Sequence, residues 1–192
     1  LTGSEKLDFL RDPELTRILA GEGIALDVQK AGSREIATRP DLKQFDVAYP
    51  AGAAAAKKIA AVTGSRRVFN SFYTPMAVAS WKQLLPTLEG NGIVHQQGGT
   101  YFIVDMRKLV ELMEKGARWK ELQPNPNYAV SKSVLITSTD VRTSNSAAMY
   151  LALASYLANG DNVVDTETVA GGDADRLVHL FANQGYQGGS SA

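Results

Sequence analysis

Cysteine is missing altogether from this 192-residue chain. Thiolate zinc sites, disulfides and cysteine nucleophiles are therefore excluded, and the absence fits an oxidising compartment where stray thiols are a hazard. An excess of either charge is missing too. Lys plus Arg and Asp plus Glu number 20 each, for a formal net charge of zero. A nucleic-acid binder needs a basic surface to neutralise phosphates, so no nucleic-acid partner is expected. A small anion needs only a local field and stays open. No run of eighteen apolar residues occurs, so the sequence holds no candidate membrane-spanning helix. Catalytic signatures are also lacking: there is no Gly-x-Ser-x-Gly, no phosphate loop ending in Gly-Lys-Ser/Thr and no Gly-x-Gly-x-x-Gly. The two histidines, His95 and His179, lie far apart. His95 sits among glycines without a spaced nucleophile, and His179 within an apolar helical pattern. Asp46, Asp105 and Asp140 each have a cap or turn role that explains them without a metal. The expectation is a protein that is not an enzyme and takes no cofactor.

What is present is enough for a core, with 44% apolar residues, in a length suited to one large α/β domain or two small lobes. Asp12-Pro13 reads as a helix cap followed by proline at the first helical position. Leu15, Ile18 and Leu19 form its inward stripe, and Gly21 or Gly23 ends it. Residues 24–28 and 45–49 read as strands, the alanine-rich 51–61 as a helix, 67–72 as a further strand and 76–79 as an extended run. A helix follows over 81–88. Gly98-Gly99 belongs to a loop around His95, and 101–104 reads equally as a strand or a helix lead-in. Asp105 caps a helix over 106–114, with Leu109, Leu112 and Met113 inward. Beyond the proline-containing loop 123–128 come a strand at 134–137, a helix at 147–158 ended by Gly160, a helix at 173–182, and a tail at 184–192 rich in glycine and serine. Alternating strands and helices predict an α/β protein with a mostly parallel sheet. A boundary falls within 73–80, giving lobes of 1–75 and 76–192.

The most informative stretch runs from Ile136 to Leu157, where an apolar segment leads through Ser138-Thr139-Asp140-Val141-Arg142-Thr143-Ser144-Asn145-Ser146 into a long helix. Helix N-termini carry unbonded N–H groups and a partial positive charge, so such a loop suits an anion or polar ligand. Arg142, Ser144, Asn145 and Ser146 are the candidates there. Plain capping by Ser144 or Ser146 and a solvated Arg142 are the competing roles. Ser4, in Gly3-Ser4-Glu5-Lys6, and Ser33 with Arg34, in Gly32-Ser33-Arg34, have the same character at the ends of expected strands. Thr74, in Tyr73-Thr74-Pro75, completes the set at the boundary.

Four segments, together with 136–164, carry a resemblance: Thr2-Gly3-Ser4-Glu5-Lys6, Ala31 to Ala37, Phe45 to Gly52 and Thr74 to Trp81. With these the chain resembles bacterial extracellular solute-binding proteins, the substrate-binding components of ABC transporters with the type II periplasmic-binding fold. The resemblance implies two α/β lobes around a cleft, a crossover near 74–79, and a small polar or anionic solute held by residues of both lobes. It implies a periplasmic or extracellular place with the export signal removed, in keeping with Leu1 rather than methionine at the first position, and an anchor outside this stretch of chain. An ABC-transporter permease, or a fused interaction domain, would be the protein partner. The chain stops where such proteins return to their first lobe, so lobe one is expected to lack its C-terminal part. The alternative is a ligand-sensing or protein-interaction module on the same fold.

Overall fold

A computed structural model describes residues 1–185 and 187–189; of the expected Gly/Ser-rich tail, positions 186 and 190–192 lie outside the described residues. Eight α-helices are found among the described residues: α1 (Leu7–Leu10), α2 (Pro13–Gly21), α3 (Ser33–Ile36), α4 (Ala53–Thr63), α5 (Leu85–Gly90), α6 (Met106–Glu114), α7 (Asn145–Ala158) and α8 (Glu167–Ala182). The sheet among the described residues is a single antiparallel pair, β1 (Val94–Gln97) with β2 (Thr100–Ile103).

This overturns the expected fold. Counting α-helix and 3₁₀ turns together, the described residues are 45% helical with one two-stranded antiparallel sheet, not two α/β lobes of the periplasmic-binding type. The segments expected as strands at 24–28, 45–49, 67–72 and 134–137 form none. A strand exists only where a neighbour supplies its ladder, and the segments at 24–28 and 67–72 have largely exposed side chains. What remains of parallel pairing is isolated bridges from Thr2 to Lys30 and to Tyr49.

The chain divides into two compact units. The first comprises residues 1–75 and 138–151 with the described tail residues; the second comprises 76–137 and 152–185. In the first, Leu1, Ala31, Ile36, Ala37, Leu42 and Ile59 form the core, with Phe45 and Ala48 packed against it. Helix α2 starts where its cap predicts, with Asp12 Oδ1 accepting from Glu14 N at 2.8 Å and Leu15 N at 3.2 Å. It ends in a Schellman turn: Gly23, at φ 75°, donates to Ala20 O, and Ile24 N to Leu19 O. Ile18, expected inward, is exposed. From Ser65 to Trp81 the chain runs without helix, turn or bend, and its side chains are exposed.

The second unit is built on larger apolar side chains. Ile93 and Val134 are fully buried, joined by Leu84, Leu88, Leu109, Val110, Met113, Leu177 and Leu180. Asp105 caps α6 through Lys108 N at 2.9 Å. Gly98 and Gly99, at φ 57° and 82°, make the two-residue turn of the β1–β2 hairpin, so His95 lies on a strand rather than in the expected loop. Helix α8 begins earlier than expected, at Glu167, and packs on α6, where Arg176 pairs with Glu114 at 3.0 Å. Arg107 donates to Leu157 O and Asp161 Oδ1, both at 2.7 Å, which serves the carbonyl end of α7.

Candidate functional site

The candidate site lies within the first unit. Thr2 sits between two neighbours: Thr2 N donates to Gln29 O at 2.9 Å and Thr2 O accepts from Ala31 N at 3.0 Å. On its other side Tyr49 N donates to Leu1 O at 2.8 Å, and Gly3 N to Tyr49 O at 3.3 Å. Three extended segments thus run in parallel, and each passes within a few residues into helical backbone: the 3₁₀ turn Ser4–Lys6, α3 and α4. Parallel direction puts all three helical starts at the same end of these segments.

A fourth start, that of α7, is tied to the same place. Arg34 N donates to Thr143 O at 3.0 Å, and Arg34 Nη1 to Val141 O at 2.5 Å. Glycine permits the approach at two positions. At Gly32 a Cβ would lie 2.5 Å from Thr143 O, and at Gly52, which has φ 86°, it would collide with the Asn145 side-chain amide. The tail closes against this loop, with Asp140 N donating to Gly188 O and Thr143 Oγ1 to Gly189 O.

The candidate residues have different parts in this arrangement. Ser33 is buried, and its hydroxyl accepts from Ala51 N at 2.7 Å. The proton of that hydroxyl is left for another acceptor. Ser4 is buried within its 3₁₀ turn. Ser144 is buried and accepts from Thr139 Oγ1 at 2.6 Å, while Ser144 N donates to Asp140 O. Asn145 is half-buried against Gly52, and Ser146 is exposed on the first turn of α7. Arg34 is committed to the 141–143 loop. Arg142 projects into solvent and forks onto Asp140, Nη2 to Oδ2 at 2.5 Å and Nε to Oδ1 at 3.0 Å. This pairing, with the Arg142 backbone N–H, holds the Asp140 carboxyl down to about 2 and pushes the guanidinium further up. Thr74 lies on the exposed stretch and makes no hydrogen bond to the others among the described residues.

Reading the residues alone missed the N-terminus of α4. Gly52 provides no side chain to cap it, and the amides of Ala53, Ala54 and Ala55 have no hydrogen-bond partner among the described residues. Proline followed closely by glycine before an alanine run was the available signal for this turn. Its meeting with Asn145 left no local trace. Burial pushes the Tyr150 hydroxyl, one face further along α7, up to about 12.

No group of three or more metal-ligating side chains occurs among the described residues. Asp105 is spent on its helix cap and Asp140 on Arg142. His95 is exposed, 3.9 Å from Glu89. No helix among the described residues is long and apolar enough to cross a membrane. Comparison with protein-family profiles, curated proteins and solved structures finds no match to this chain.

Proposed function

We propose that this chain is a solute-binding protein that captures a small polar or anionic solute in its first unit, outside the cytoplasm, for uptake or sensing. The observation that carries the reading is the meeting of the uncapped N-terminus of α4 with the N-terminal residue of α7 at Gly52 and Asn145. Two helices of 11 and 14 residues each bring unbonded amides and about half a positive charge to their first turn. An oxyanion or carboxylate is stabilised by that field and by direct donation from Ala53 to Ala55. Asn145 supplies a neutral donor beside them, and the Ser33 hydroxyl adds another within the same unit. Arg34 and Arg142 act at one remove. The first staples the loop, and the second neutralises Asp140, whose charge would otherwise oppose an incoming anion.

Asn145→Asp tests this reading. A carboxylate on the first turn of α7 favours the helix through its dipole but repels an anion, so folding and binding separate. Calorimetric titration with phosphate, sulfate, citrate and acidic amino acids is expected to find a saturable ligand for the parent protein. The variant is expected to bind it at least about tenfold more weakly, an effect of about 1.4 kcal/mol, with an unchanged or higher melting temperature. Equal affinity in parent and variant refutes the proposal.

A further inference from the structure

We propose a second ligand site, in the other unit, which takes an acidic sugar: its ring lies on Trp81 and its carboxylate meets Lys82. Trp81, Lys82, Gln83, Pro86, Asn127 and Tyr128 line an open depression of about 810 Å³. All six belong to the unit of residues 76–137 and 152–185, so the site is independent of the one proposed above.

The two tryptophans of the chain are used in opposite ways. Trp119 is 8% exposed and belongs to the core, whereas Trp81 is 75% exposed. An indole left to water forgoes one of the largest apolar burials a side chain can make. Nothing local accounts for its position, since the 3₁₀ turn it precedes receives no side-chain cap from it.

The polar groups around Trp81 are equally unspent. The side chains of Lys82, Gln83 and Asn127 make no hydrogen bond or ion pair among the described residues. Two amides offer both donors and acceptors, the pattern that hydroxyls need. No carboxylate lines the depression, so the Lys82 ammonium has no counter-charge there. An aromatic face, paired amides and one free cation match a pyranose with a C–H face, a hydroxyl edge and an acidic substituent.

One wall is held ready by partly buried hydrogen bonds. Asn125 Nδ2 donates to Trp119 O at 2.5 Å and Tyr128 O at 3.2 Å, while Asn125 Oδ1 accepts from Tyr128 N at 3.0 Å. The same oxygen accepts from Thr87 Oγ1 at 3.2 Å, and Thr87 is fully buried. The Tyr128 ring stands edge-on to Trp119 with centroids 6.0 Å apart. The backbone at Asn127 and the Tyr128 ring therefore need little ordering on binding, which lowers the entropic cost of association.

Isothermal titration with tetragalacturonate, cellotetraose and inorganic phosphate, read beside tryptophan fluorescence, tests the proposal. Tetragalacturonate is expected to bind saturably and perturb the exposed indole, with cellotetraose at least about fivefold weaker. Trp81→Ala is expected to cost at least about tenfold without a change in melting temperature, because Trp81 contributes no core packing. Lys82→Gln is expected to bring the acidic and neutral sugars to similar affinity, and Asn145→Asp to leave both sugar titrations unchanged. No binding of either sugar at millimolar concentration overturns the proposal, as does unaltered affinity in Trp81→Ala. Phosphate competing as well as the uronate would show a bare anion site and overturn the sugar assignment.

Discussion

The two units are held together by different means. In the first, small residues dominate the meeting points, and segments remote in sequence are joined through backbone groups: Thr2 to Gln29 and Ala31, Tyr49 to Leu1, Arg34 to Thr143. Its described core is a handful of aliphatic residues around Ile36. The second encloses larger side chains around Ile93 and Val134, and its elements are set by near neighbours: Asp105 caps α6, and Gly98-Gly99 turns the hairpin. Backbone contact at glycine brings unbonded amides close together, which favours a polar ligand. Bulky apolar packing instead makes a firm base from which a loop such as 125–128 presents its side chains.

The largest expected effect comes from emptying the two cores in parallel. Ile36→Ala and Ile93→Ala each remove a side chain that is 0% exposed, and each should cost about 2–5 kcal/mol. Hydrogen exchange should locate the loss in residues 1–75 with 138–151 for the first, and in 76–137 with 152–185 for the second. Loss of protection spread evenly over both units by either variant would break the comparison.

Gly32→Ala should have a smaller, sharper effect. Its Cβ would press on Thr143 O, backbone that has little room to give, at a cost of about 1–3 kcal/mol. Exchange at Arg34 and Thr143 should rise while the β1–β2 hairpin keeps its protection. An unchanged melting temperature would show that the 141–143 loop is not held by this contact.

The smallest effect is electrostatic. Asp140 is held at about 2, well below the usual carboxylate, so its contribution to stability is present above pH ~4 and disappears as the pH falls through ~2. Arg142→Ala should return the carboxyl towards its ordinary range, seen as a shifted side-chain titration by NMR. A titration near 2 in that variant would assign the depression to backbone donors alone.

Local chemistry was legible in the residues, and long-range pairing was not. Asp12-Pro13, the alanine run and Asp105 each announce a helix through a cap or a propensity that acts over a few residues, and α2, α4 and α6 appear accordingly. The apolar segments at 24–28, 45–49 and 67–72 have strand-like composition, but whether a ladder forms depends on a neighbour that no local pattern reveals. The hairpin was missed for the opposite reason. Two glycines between Gln97 and Thr100 look like a loop unless they are read as a turn that needs positive φ at both positions. For the candidate site, serine and glycine at segment ends marked Ser33 as a candidate ligand residue, and in the structure its hydroxyl accepts from Ala51 N. That Gly52 would lie against Asn145 follows only from how the unit folds.

The stretch from Ser65 to Trp81 has a practical consequence for the molecule in bulk. Between Arg67 and Lys82 it carries no charge, and Phe69, Tyr73 and Trp81 are each at least 75% exposed. With a sequence pI of about 7.0, neutral buffer strips away the mutual repulsion that would keep such surfaces from sticking. Precipitation should therefore be worst where most proteins are stored, and a shift of two pH units in either direction should restore clear, concentrated solutions.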